Sequence, residues 1–173
     1  IVEKGYLYIA QPPLYRYKKG KSERYLPDDT ALSNFLIETG LESFQFEGLG
    51  YNDLVDLFQT VSRYRSMLQQ LEKRYSLVEV LKHLIENNEL IKLDFTDLYE
   101  EVKNFLEAKG YNILSKTLTD ERIQLFVQTN EGLEELVIDD ELFASPYFDE
   151  ATYIYTKLLE RDISMFNGRD LIE

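Results

Sequence analysis

Leu54, Leu57, Phe58, Val61, Tyr64, Leu68 and Leu71 recur at steps of three and four residues. No other feature of the chain restricts its fold as strongly. That period places all seven side chains on one stripe of an α-helix, over roughly residues 52–74. A helix of about 23 residues with one apolar stripe has to bury that stripe against other elements. The sequence supplies them. Ser76 is placed to cap a second helix over about 77–86, with Val80, Leu81 and Leu84 inward. The run "ENNE" breaks it. Asp94 or Thr96 then begins a third helix, about 97–109, which Gly110 stops.

After Gly110 the period changes from 3.6 to 2. Residues 111–118, 122–128 and 133–138 read as strands, separated by the turn sequences "TDER" and "TNEG". Ile123, Leu125 and Val127 alternate with Gln124 and Gln128, as in a half-buried antiparallel strand, so the three form a meander. Ser145 followed by Pro146 is a helix start, and the helix runs to about residue 160 with Ala151, Ile154, Tyr155 and Leu158 inward. "RDISMFNGRDLIE" reads as a last strand and a tail. Helices and strands come in blocks rather than in βαβ alternation, so the fold class is α+β: amphipathic helices packed on a small antiparallel sheet.

The N-terminal part has a different character. Tyr6–Ala10 reads as a strand that Pro12 and Pro13 end, since neither offers an N–H to a ladder. Residues 14–18 and 23–26 then form a hairpin about Gly20, and Pro27 closes it. Asp28 or Asp29 caps a helix of roughly residues 30–39, with Leu32, Phe35 and Leu36 on one face and Gly40 as its stop. "LESFQFEGLG" is ambiguous, with Phe44 and Phe46 alternating. The charge is as uneven as the pattern. The chain carries a formal −13, yet residues 1–24 hold six basic residues against two acidic ones, a net +4 that leaves −17 for the remainder. Phosphate backbones are bound mainly by Lys and Arg, so the acidic remainder is a poor nucleic-acid surface, whereas the hairpin is a local basic one. Arg16, Lys18, Lys19, Lys21 and Arg24, beside Tyr15 and Tyr17, are the candidate DNA-contacting residues. A second basic cluster, Arg63, Arg65, Lys73 and Arg74 with Lys82 beyond, falls on and just after the long helix, where positive charge near a C-terminus also complements the helix dipole.

Signals for chemistry are weak. His83, the one histidine, has no second histidine or cysteine to join it in a metal or nucleophile site and reads as a surface or groove-lining residue. The pairs Asp28–Asp29, Glu134–Glu135 and Asp139–Asp140 are adjacent carboxylates. On a strand these point to opposite faces, and at a helix start they cap it. "EGLGYN" lacks a third glycine and a preceding strand, so it is no dinucleotide fingerprint. The residues alone assign no catalytic side chain and no metal ligand. The absence of cysteine excludes disulfides and fits a reducing compartment. No apolar run reaches transmembrane length, no signal peptide precedes the first strand, and the missing initiator Met is that of a piece of something longer.

"GYLYIAQPPLYRYKKGKSERYLPDD" resembles the C-terminal end of the TOPRIM region in the gyrase B family of type IIA topoisomerases, where a Tyr-Ile-Ala-Gln-Pro-Pro-Leu-Tyr string is followed by a Lys-Gly-Lys turn. "TALSNFLIETG" is similar to the short helix after that hairpin, and "YRSMLQQLEKRYS" to the long helix of the large insert carried by many Gram-negative members. "KLLERDISMFNGRDLIE" resembles the segment that returns to the core. The resemblance implies three parts: residues 1–40 as the end of TOPRIM, 41–160 as the insert domain, and 161–173 as the return segment. It implies an ATP-driven parent enzyme that introduces negative supercoils with Mg2+ and ATP bound outside this chain. The family's Glu-Gly-Asp-Ser-Ala and Asp-x-Asp acids lie upstream and its DNA-cleaving tyrosine belongs to the gyrase A subunit, so no catalytic residue carries over. The implied partners are the gyrase A subunit, double-stranded DNA and the rest of gyrase B, in the cytoplasm and without a membrane. Two roles follow as expectations, a coupling module docked on gyrase A or on TOPRIM and a direct DNA contact through the basic hairpin; without the resemblance, the acidity gives a third, an acidic interaction module that engages a basic DNA-binding partner.

Overall fold

Tyr15, Tyr17 and Leu26 turn inward while Arg16, Lys18 and Tyr25 turn to solvent, and this alternation builds the first element pair in a computed structural model that describes residues 12–42 and 50–161. β1 (Tyr15–Lys19) pairs antiparallel with β2 (Ser22–Leu26), Tyr15 opposite Leu26 and Lys19 opposite Ser22. Gly20 has φ 61° at the first of the two turn positions, the value that glycine adopts without strain and that suits a right-twisted hairpin. Strand Tyr6–Ala10 and the Phe44/Phe46 stretch, like the strand read after residue 161, lie outside the described residues.

Asp28 caps α1 (Asp29–Leu41), its Oδ1 accepting from the Ala31 amide at 2.7 Å. The helix does not stop at Gly40. It continues to Leu41, and the Glu42 amide bonds the Glu38 carbonyl at 3.2 Å. A glycine inside a helix costs about 1 kcal/mol against alanine, too little to end it. The apolar face is also narrower than the sequence implies: Phe35 and Leu41 are buried, but Leu36 is 57% exposed.

The chain divides into two compact units, Ile1–Gln59 and Thr60–Glu173. The first unit's described part is the hairpin, α1 and the start of α2 (Tyr51–Glu72). In the second unit, Val61, Tyr64, Leu68 and Leu71 of α2 are buried as the period requires. α3 (Val78–Glu86) buries Val80, Leu81, Leu84 and Ile85, and packs against α4 (Phe95–Ala108) and α6 (Pro146–Glu160). Ser76 is not the cap of α3. Leu77 takes that place in the left-handed region, φ 54° and ψ 53°, with no side-chain capping bond. "ENNE" does not simply break the chain but winds into a 3-10 turn over Asn88–Lys92. Asp94 caps α4, accepting from the Thr96 and Asp97 amides at 2.9 Å each. Gly110 ends α4 with φ 78°.

β3 (Asn112–Thr119), β4 (Arg122–Gln128) and β5 (Leu133–Asp139) form the expected meander, in the order β3-β4-β5. Ile123, Leu125, Val127, Leu136 and Ile138 are fully buried on the face shared with the helices. The register shifts between Ile113 and Ser115, where the bulged Leu114 is 61% exposed, and Lys116 on the same strand lies 4.2 Å from the Tyr99 ring centroid. A one-turn helix, α5 (Asp140–Phe143), which no periodicity in the sequence marks, follows β5 and is capped by Asp139. Phe143 stacks with Phe95 and meets the edge of Phe148, the first large buried residue of α6. The fold is α+β.

Candidate nucleic-acid interface

The pleat of the hairpin divides its strand cations between two faces, and Lys21 sits in the turn. Tyr17 and Arg24 are directly opposed, and both meet Phe35 of α1: the Tyr17 ring is 4.7 Å away and tilted by 60°, and the Arg24 guanidinium lies 5.0 Å from the ring centroid. Tyr15 donates a hydrogen bond to Asp29 at the start of α1, and that carboxylate raises the phenol's pKa above its usual value. This side of the hairpin is therefore fastened to the helix. Arg24 is partly spent in a cation–π contact.

The opposite face presents Arg16, Lys18, Glu23 and Tyr25. Glu23 grips Arg16 side-on, with Oε1 2.5 Å from Nε and Oε2 accepting from Nη2 at 3.1 Å. Tyr25 donates to the same carboxylate, and its phenol pKa is raised by that bond. Lys18, Lys19 and Lys21 are exposed around the Gly20 turn and form no ion pair with another described residue. The hairpin thus offers three ammonium groups at its tip that no described acid pairs, one acid-bound guanidinium behind them, and one guanidinium turned toward α1.

The second cluster is not brought together. Arg63 pairs with Glu150 at 2.7 Å, Arg74 pairs with Glu141, and Lys73 donates to Gln70 at 3.2 Å. Arg65 is exposed on α2, and Lys82 is half-buried on α3. Arg63 does border an open groove of about 470 Å³ with Thr60, Tyr153, Lys157 and Arg161, but there Lys157 is bonded to Glu160 at 2.7 Å. His83 stacks on Phe105 at 4.3 Å, with the Asn87 amide beside its ring. Burial lowers its pKa, which outweighs the opposing pull of Glu86 and Glu101. Among the described residues, no group of three or more His, Asp or Glu side chains is placed to hold a metal, and no helix is long and apolar enough to cross a membrane.

A basic two-stranded hairpin docked on a short capped helix is also what the comparisons with known proteins single out. The family model described as "GyrB, hook" matches residues 13–41, the hairpin and α1 together. The class is a gyrase-type hook followed by a larger α+β unit. The DNA gyrase B protein of Campylobacter jejuni is 46% identical over 173 residues, all of this chain, and that of Helicobacter pylori is 44% identical over 172 residues. The corresponding protein of Caulobacter vibrioides is 39% identical over 79 residues. The chain belongs to the DNA gyrase B family, and it spans 22% of the length of the first two relatives.

Proposed function

We propose that this chain serves a gyrase B protein through contact and coupling rather than chemistry: the hook hairpin meets the phosphate backbone of duplex DNA, and the acidic unit that follows it in the chain docks on gyrase A or on the rest of gyrase B. The parent activity is ATP-dependent negative supercoiling in the cytoplasm, with Mg2+ and ATP held by residues outside this chain. The observation that carries the reading is the contrast between the two basic clusters. Lys18, Lys19 and Lys21 stand free of described acids at a turn, whereas Arg63 and Arg74 are each paired with a glutamate. Free ammonium groups on an exposed turn neutralise phosphates without reading sequence.

The test is a mobility shift on a short duplex of arbitrary sequence at low salt, comparing the chain with K18A/K19A/K21A. Weaker binding by the triple variant, with a shallower dependence on salt, supports the contact. Equal retention of duplex by both proteins refutes it.

A second reading rests on the acidity of residues 25–173, at −17. It makes the chain an interaction module for a basic DNA-binding partner. Its mark in the same assay is capture of that partner by a chain that ignores the duplex.

A further inference from the structure

Glu23 occupies the position in which a phosphate would meet Arg16. A guanidinium presents a planar fork that two oxygens can fill at once, and carboxylates and phosphates fill it in the same way. In the hairpin the two oxygens come from Glu23, one on Nε and one on Nη2. The grip is held in place from a second side, because the Tyr25 hydroxyl donates to the same carboxylate oxygen that meets Nε. No comparable acid holds Lys18, Lys19 or Lys21 among the described residues.

We infer that Glu23 is the specificity-determining residue of the hairpin, an internal phosphate mimic that keeps Arg16 out of weak, non-specific DNA contacts and gives it up only to a phosphate able to replace both carboxylate oxygens. The inference rests on the proposed DNA contact and deepens it. The Lys tip supplies the sequence-independent attraction. Arg16 joins only where the backbone is seated deeply enough to displace Glu23, so the chain binds a duplex loosely until it is correctly placed. The exchange is a swap of one anion for another in one fork, so it needs no change in the hairpin's backbone.

The test measures duplex affinity against salt for the whole chain, for Glu23→Gln, for Glu38→Gln as a control that removes the same charge from α1, and for both Glu→Gln changes in an R16A background. Freed Arg16 adds one phosphate contact. The slope of log affinity against log salt should then steepen by about one, and low-salt affinity should rise roughly tenfold in E23Q. E38Q should leave the slope unchanged, and R16A should abolish the E23Q gain. Binding detected in E23Q but not in the unaltered chain supports the inference equally. If E23Q and E38Q give the same gain, or if the gain survives R16A, the effect is bulk charge and the inference is overturned while the lysine contact stands. If the unaltered chain and E23Q both fail to bind at low salt, the DNA contact itself is wrong and the inference falls with it.

Discussion

Tyr64→Phe removes one oxygen atom and leaves the rest of the core in place. Tyr64 is fully buried on α2, its ring centroid is 6.1 Å from that of Tyr155, and its hydroxyl has no hydrogen-bond partner among the described residues. An unsatisfied buried hydroxyl costs about 1–3 kcal/mol, so its deletion should stabilise the second unit by about 1 kcal/mol. For a unit of this size that corresponds to a rise in Tm of about 4 °C. Burial, with Glu86 adding to it, pushes the Tyr64 pKa well above its ordinary value. The sign of the pH effect follows. A group whose folded pKa is raised contributes fully below its unfolded pKa of about 10, and that contribution is lost as pH rises, because only the unfolded chain ionises. Each pH unit above 10 therefore costs the unaltered chain about 1.4 kcal/mol that Y64F does not lose. The advantage of Y64F should grow from about 1 kcal/mol at pH 8 to about 2.4 kcal/mol at pH 11. Urea unfolding of both proteins across that range measures it. A lower midpoint for Y64F at pH 8, or a gap that does not widen with pH, would show that the hydroxyl has a partner.

Two further perturbations probe the same unit. Asp94→Ala removes an acceptor for two amides at 2.9 Å and should cost about 1 kcal/mol, seen as a lower urea midpoint and faster amide exchange in the first turn of α4. Phe148→Ala deletes a ring that is 2% exposed and packed on Phe143. It should cost about 3–5 kcal/mol in equilibrium unfolding, and a cost below 1 kcal/mol would mean that the pocket collapses around the gap.

The sequence announces those elements whose signal is local and repeated. The α2 stripe and the β4 alternation each repeat one rule over several residues, and the structure keeps both except at Phe58, which is 38% exposed; the Ser145–Pro146 pair marks the start of α6. It hides decisions taken by a single residue against its neighbours' preference. Leu77 turns the corner into α3 in a left-handed conformation that no sequence rule assigns to leucine, so the nearby Ser76 looks like the cap. Gly40 looks like a stop because glycine usually is one, yet the backbone bond from Glu42 to Glu38 carries the helix past it. Leu36 reads as core by spacing, but its exposure depends on what lies beside α1, which spacing does not encode. The site divides in the same way. The five hairpin cations are legible as a cluster. Their inequality is not, because it comes from strand register: seven residues separate Arg16 from Glu23, and only the folded hairpin lays one across the other.

The bulge at Leu114 bears on the chain's behaviour at high concentration. Among the described residues β3 is bonded on one side, by β4; a strand so placed offers its other side to an extended peptide, and eight residues would be a generous template. The register break between Ile113 and Ser115 cuts that template in two, and Lys116 adds a charge that an incoming strand would have to bury. The same irregularity that exposes a leucine thus guards β3 against open-ended stacking of one copy on the next.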